Sequence, residues 1–152
     1  MKTVDTNEYM AVLQDLISEG KEAGLLITGN SMAPFLVHER DYIYFRSPDR
    51  ELKKGDMVFY RRMGGQYIMH RILDVRPEGY YIVGDNQIQA EGPVDRSQIF
   101  AIVTKVKRRG RWIGPDDPVW KFYEKVWINM IPARRVIGRV SRKLKRMVKG
   151  QE

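Results

Sequence analysis

Ser31 stands in Gly29-Asn30-Ser31-Met32-Ala33-Pro34, with a glycine two residues before it and a proline three residues after it. Both restrict the backbone, so the hydroxyl is held by turn chemistry at the end of the apolar run Leu25-Leu26-Ile27. Alone, such a serine is an ordinary turn residue; to become a nucleophile it needs a base that takes its proton. The sequence contains two histidines, His38 and His70. His38 lies in the charged stretch Val37-His38-Glu39-Arg40 and reads as a solvated surface residue. His70 lies within the strand-like Tyr67-Ile68-Met69-His70-Arg71-Ile72-Leu73, where ladder hydrogen bonds would fix its position, although a lone strand histidine is more often structural. A carboxylate that orients the imidazole would complete the group. Asp85 qualifies, because Val83-Gly84-Asp85-Asn86 delivers it from a strand into a turn. Asp95 also qualifies, in Gly92-Pro93-Val94-Asp95-Arg96-Ser97 ahead of another strand. The plain readings are an Asp-Asn turn and a surface ion pair. With no cysteine in the chain, disulfides and thiolate metal sites are excluded. No metal or cofactor is implied.

Residues 6 to 19 have the pattern of a helix, with Tyr9, Val12, Leu13, Leu16 and Ile17 at helical spacing and Gly20 as the stop. From residue 24 the texture is β. Strands are expected at 25–28, 41–46, 57–62, 67–75, 80–83 and 99–107, with a short addition at 111–113. Gly64-Gly65 and Glu78-Gly79 are tight enough to make hairpins, and Gly92-Pro93 reads as a turn. Six or seven short strands at this spacing predict a mainly β (α+β) fold, a coiled antiparallel sheet or partial barrel. Three regions follow: an N-terminal helix over 1–22, a β domain over 23–113, and a helical tail over 114–152 that begins at Gly114-Pro115-Asp116-Asp117-Pro118.

The chain has 152 residues, 43% hydrophobic and 30% charged, with a net charge of +8. That composition is expected of a soluble globular protein with one core. The charge is concentrated: Arg134, Arg135, Arg139, Arg142, Lys143, Lys145, Arg146 and Lys149 lie in one stretch without an acidic residue. Helices are expected over 119–131 and 133–148, broken by Pro132, the second with an apolar stripe and a basic face. Trp120 and Trp127 precede it. A basic amphipathic helix beside tryptophans suits an anionic membrane surface; packing of the stripe on the domain is the alternative, and nucleic acid is a weaker fit. No apolar run approaches the ~20 residues of a membrane span, and no secretion signal is evident. The expected location is cytoplasmic, peripheral on the inner membrane surface.

The order of these elements is more informative than any one of them. Ser31-Met32-x-Pro34, then Gly55-Asp56 opening a strand, then His70-Arg71-Ile72, then Gly84-Asp85-Asn86, then Asp95-Arg96 resembles the type I signal peptidase family and its relatives among self-cleaving repressor proteases (the S24/S26-like superfamily). The resemblance covers roughly residues 25 to 107. Met69-His70-Arg71-Ile72 is similar to the Ser/His archaeal and endoplasmic-reticulum type rather than to the Ser/Lys bacterial type, and Lys53 and Lys54 do not match the lysine position. The resemblance implies the signal-peptidase-like β fold, Ser31 as nucleophile, His70 as general base and an orienting acid after Gly-Asp-Asn, with Asp95 slightly favoured over Asp85. It also implies an oxyanion hole. Bacterial relatives place a serine two positions before the nucleophile; here Gly29 stands there, so backbone N–H groups around Gly29, Asn30 and Met32, that of Ser31 included, or the Asn30 amide must serve. Relatives are ordinarily anchored by N-terminal membrane helices, and this chain has an amphipathic helix instead.

The reading is a serine endopeptidase that cleaves an extended peptide or preprotein through an acyl-enzyme, in signal-peptide-like or peptide-maturation processing. A non-catalytic peptide-binding module of the same fold, or a membrane-surface adaptor, is the alternative. A self-cleaving repressor would need a DNA-binding domain ahead of the β part and lysine in place of His70.

Overall fold

The computed structural model describes residues 6–134. Helix α1 (Thr6–Ser18) ends at Gly20, which takes φ +86° and donates its N–H to the Ile17 carbonyl at 2.9 Å. Met10, Leu13 and Ile17 make its buried face. Tyr9, Val12 and Leu16, equally well spaced, are 42, 56 and 38% exposed. Spacing alone therefore identified a helix without identifying which of its two apolar stripes packs.

Eight strands follow: β1 (Ala23–Leu26), β2 (Tyr42–Arg46), β3 (Met57–Arg61), β4 (Tyr67–Arg76), β5 (Gly79–Val83), β6 (Glu91–Val94), β7 (Ile99–Arg108) and β8 (Arg111–Ile113). They form one antiparallel sheet in the order β1-β2-β7-β3-β4-β5-β6, with β8 on β7. The sheet does not close, since β1 and β6 remain its two ends. Register shifts at Tyr44/Phe45, Phe59/Tyr60 and Ile72/Asp74 mark the irregularities that let it coil. The expected mainly β architecture and both hairpins are observed. Strand β6 was not foreseen, because Gly92-Pro93 reads as a turn. A proline can sit there because β6 is an edge strand paired only with β5.

The sheet carries two cores. One gathers Met10 and Leu13 of α1 with Met32, Phe35, Ile43, Phe45 and Phe59. The other holds Val58, Tyr60, Ile72, Ile82 and Ile102. Along β4, Tyr67 and Met69 pack toward the first and Ile68 and Ile72 toward the second, as strand alternation requires.

From Gly114 to Arg134 the chain stays on the body. Asp117 caps α2 (Pro118–Lys121), and the chain continues as a wider π-helical turn over Phe122–Val126 and a tighter 3-10 turn over Trp127–Asn129. Trp120 and Tyr123 join the first core, their rings 6.1 and 4.8 Å from that of Phe35.

Candidate active site

The segment from Ile27 to Asp41 is folded back on itself. Ile27 donates to the Asp41 carbonyl and Glu39 to the Ile27 carbonyl, both at 2.8 Å. The fully buried Asp41 carboxylate accepts from the N–H groups of Val37 (2.8 Å) and Arg109 (3.0 Å) and from the Arg40 guanidinium. These bonds hold it below the usual carboxylate range against the burial that opposes them. Met32, Phe35 and Leu36 are buried beneath the segment, while Ser31 stays partly exposed. Gly29, at φ +84°, supplies the left-handed turn before the serine. Its N–H donates to His38 Nδ1 at 2.7 Å. His38 is thus half-exposed, as expected, yet it fastens the nucleophile turn.

A second segment meets the serine from below. Asn86 donates its backbone N–H to the Ser31 carbonyl at 2.9 Å and its side-chain amide to the Asn30 carbonyl at 3.1 Å. Gly84 permits this approach: a Cβ there would lie 2.5 Å from the Ser31 carbonyl oxygen. Arg71 pairs with Val83 across β4 and β5, and that register, continued by one residue, brings Gly84 beside His70. Ser31 and His70 consequently line one cavity of about 230 Å³.

His70 is 6% exposed. Burial lowers its pKa to about 4, and the charges that act on it are Glu91, which opposes the lowering, then Arg62, which adds to it, then Asp85. The imidazole is therefore neutral near pH 7, the form that accepts a proton. Among the described residues no hydrogen bond takes up the Ser31 N–H.

Neither aspartate hydrogen-bonds to His70. Both Asp85 oxygens are taken by Arg71, whose Nε and a terminal nitrogen donate at 2.9 Å, and both residues are fully buried. The other Arg71 nitrogen reaches the Gly55 carbonyl at 2.9 Å, and Met32 sulfur accepts the Asp85 N–H at 3.5 Å. Asp85 thus ties the nucleophile turn to β4. Asp95 caps the turn Arg96–Gln98, accepting from Ser97; these bonds lower its pKa at an exposed site. Asp56 is similarly committed, to Arg50 and the Lys53 N–H.

Glu91 is the residue the sequence reading missed. Its carboxylate is the charge that acts most strongly on His70, it accepts the Tyr60 hydroxyl, and Arg62 Nε lies 2.8 Å from it. The available signal was its position as the first acidic residue after Gly84-Asp85-Asn86. It was hidden by the apparent turn of Gly92-Pro93, which drew attention onward to Asp95.

Three of the residues expected at a membrane surface are packed against the body of the protein. Trp120 is 5% exposed against Phe35. Trp127 donates its indole N–H to the Asp85 carbonyl at 2.7 Å. Arg134 is 6% exposed and donates to the carbonyls of Gly84 and Gln87 at 3.1 Å and of Trp127 at 2.7 Å. Buried, and with four of its five N–H donors on backbone carbonyls, this arginine is not presented to lipid phosphates. Arg135, Arg139, Arg142, Lys143, Lys145, Arg146 and Lys149 lie outside the described residues. Among the described residues no helix is long and apolar enough to cross a membrane, and no cluster could hold a metal.

A family model described as Peptidase S24-like matches residues 1–107. No curated protein and no solved structure matches the chain.

Proposed function

The chain belongs to the Peptidase S24-like family, and we propose that it is a serine endopeptidase of the Ser/His kind, with Ser31 as nucleophile and His70 as general base. The observation that carries this reading is that both residues line one cavity while burial keeps His70 neutral. Nothing in packing alone requires a partly exposed serine and a neutral buried imidazole to line the same cavity.

In this reading the substrate, an extended peptide or preprotein, lies along the free edge of β1. Ser31 Oγ attacks the scissile carbonyl carbon and passes its proton to His70. The Ser31 N–H faces the resulting oxyanion. Collapse of the intermediate breaks the C–N bond, His70 returns the proton to the leaving amine, and water then hydrolyses the ester with His70 as base again. Glu91, more than Asp85, is the carboxylate whose charge favours the transient imidazolium, and Asp95 is not among the charges that act on it.

The test is reaction with a fluorophosphonate probe and cleavage of a peptide library by the full chain, alongside Ser31→Ala and His70→Ala. Labelling and cleavage that vanish in Ser31→Ala and fall by about 10² or more in His70→Ala are expected. Equal labelling in all three proteins overturns the assignment.

A further inference from the structure

The turn Gly84–Gln87 has two sets of partners. The first is the nucleophile segment, where Asn86 reaches the Ser31 and Asn30 carbonyls. The second is the segment that follows the last strand. Trp127 donates its indole N–H to the Asp85 carbonyl at 2.7 Å, and one terminal nitrogen of Arg134 donates to the Gly84 and Gln87 carbonyls, both at 3.1 Å. The turn also closes on itself, since the Gln87 N–H donates to the Gly84 carbonyl at 3.0 Å and the Gly84 N–H to Gln87 Oε1 at 2.9 Å. A single nitrogen that spans both ends of a four-residue turn fixes how far the turn opens. Arg134 is a costly group to place there. It is 6% exposed, and every hydrogen bond it makes among the described residues goes to a backbone carbonyl, so a cation is buried with no carboxylate bonded to it. What the guanidinium adds is direction. Its planar fork holds the Trp127 carbonyl through Nε and the other terminal nitrogen, at 3.2 and 2.7 Å, and its central carbon lies 5.2 Å from the centre of the Trp127 ring. Trp127 and Arg134 are thereby fixed to each other as well as to the turn.

Resting on the peptidase reading above, we propose that Trp127 and Arg134 are positioning residues for the reaction of Ser31. Neither lines the cavity that Ser31 and His70 share. They act through the carbonyls of Gly84, Asp85 and Gln87, and Asn86 passes the place of that turn to the backbone of Asn30 and Ser31. The rate of attack by Ser31 Oγ therefore depends on side chains that lie after the sheet, whereas the binding of a peptide in the cavity does not.

The test uses the full chain and three variants, Trp127→Phe, Arg134→Met and Arg134→Lys. Trp127→Phe keeps an aromatic ring beside Phe122 and Tyr123 and takes the N–H from the Asp85 carbonyl. Arg134→Met keeps an unbranched stem and takes away the donors. Each protein is measured well below its Tm for its labelling rate with a small fluorophosphonate, and for kcat and KM on a library peptide that the unmodified chain cleaves. Arg134→Met should lower the labelling rate and kcat by about 10², the cost of a ~1 Å misplacement, and Trp127→Phe should lower them about tenfold. KM should stay within about threefold of its original value in both. Lysine cannot copy the fork, but its ammonium can span two carbonyls, so Arg134→Lys should be at least about tenfold faster than Arg134→Met. If Arg134→Met does not fold, Trp127→Phe decides. Unchanged rates in the variants that fold, a loss confined to KM, or a lysine variant no faster than the methionine one overturns the positioning inference alone. Absence of labelling of the unmodified chain overturns the peptidase reading on which it rests.

Discussion

Burial sets the working state of His70. A histidine with pKa about 4 in the folded chain and 6.5 in the unfolded chain binds fewer protons when folded, so stability falls as pH falls. The loss should begin near pH 6.5, total roughly 3 kcal/mol by about pH 4, and go no further from this group. Denaturant titrations between pH 4 and 7 should record that slope, and His70→Asn should remove it. Asp41, held down by its hydrogen bonds, acts in a separate window below the ordinary carboxylate pKa. The two acids beside the site separate by readout. Asp85→Ala strands a fully buried guanidinium and should destabilise the fold by about 3–5 kcal/mol. Glu91→Gln should leave the fold standing but lower kcat roughly tenfold, with the acid limb of kcat/KM shifted to lower pH because a charge that raised the His70 pKa is gone. An unchanged limb in Glu91→Gln would return the orienting role to another group.

Two elements hold the nucleophile: the turn after β1, pinned by Asp41 and His38, and the turn after β5, brought close by Gly84. The second is the more sensitive. Gly84→Ala inserts a Cβ 2.5 Å from the Ser31 carbonyl oxygen, and a displacement of ~1 Å at a reacting atom costs about 10² in rate. We expect kcat to fall by that order with the sheet still folded, measured by peptide cleavage beside circular dichroism. Equal activity would mean that the turn yields without moving Ser31. Most elements were legible in the sequence, since runs of apolar, β-branched and aromatic residues mark β3, β4 and β7 and glycines mark their hairpins. What was not legible required knowledge of partners. The Gly92-Pro93 pair looks like a turn unless one knows that β6 is an edge. His38 looks solvated until the Gly29 N–H is found against it, and α1 offers two apolar stripes of which the sheet selects one.

At the scale of the molecule, the tail reading changed most. Trp120, Trp127 and Arg134 carry the composition of a membrane-facing segment, yet composition cannot tell an indole beside lipid from one beside Phe35. The segment after Gly114 instead closes the first core and grips the Gly84–Asn86 turn through backbone carbonyls. A chain ending at Gly114 should therefore lose more than a surface feature. Removing Trp120 and Tyr123 uncovers Phe35, and loss of one such buried aromatic contact surface costs on the order of 3–5 kcal/mol. Thermal unfolding should show a large drop in Tm or no cooperative transition; a Tm equal to that of the full chain would make the segment an independent appendage. Order along the chain, rather than any single motif, made Ser31 and His70 recognisable, and the fold converts that order into proximity. The most direct measurement is the mass of the protein after fluorophosphonate treatment, with the modified residue located by peptide mapping. The account predicts a single adduct on Ser31, formed with an acid limb near pH 4 and lost in Ser31→Ala. An adduct on another residue, or none on the intact chain, would contradict it.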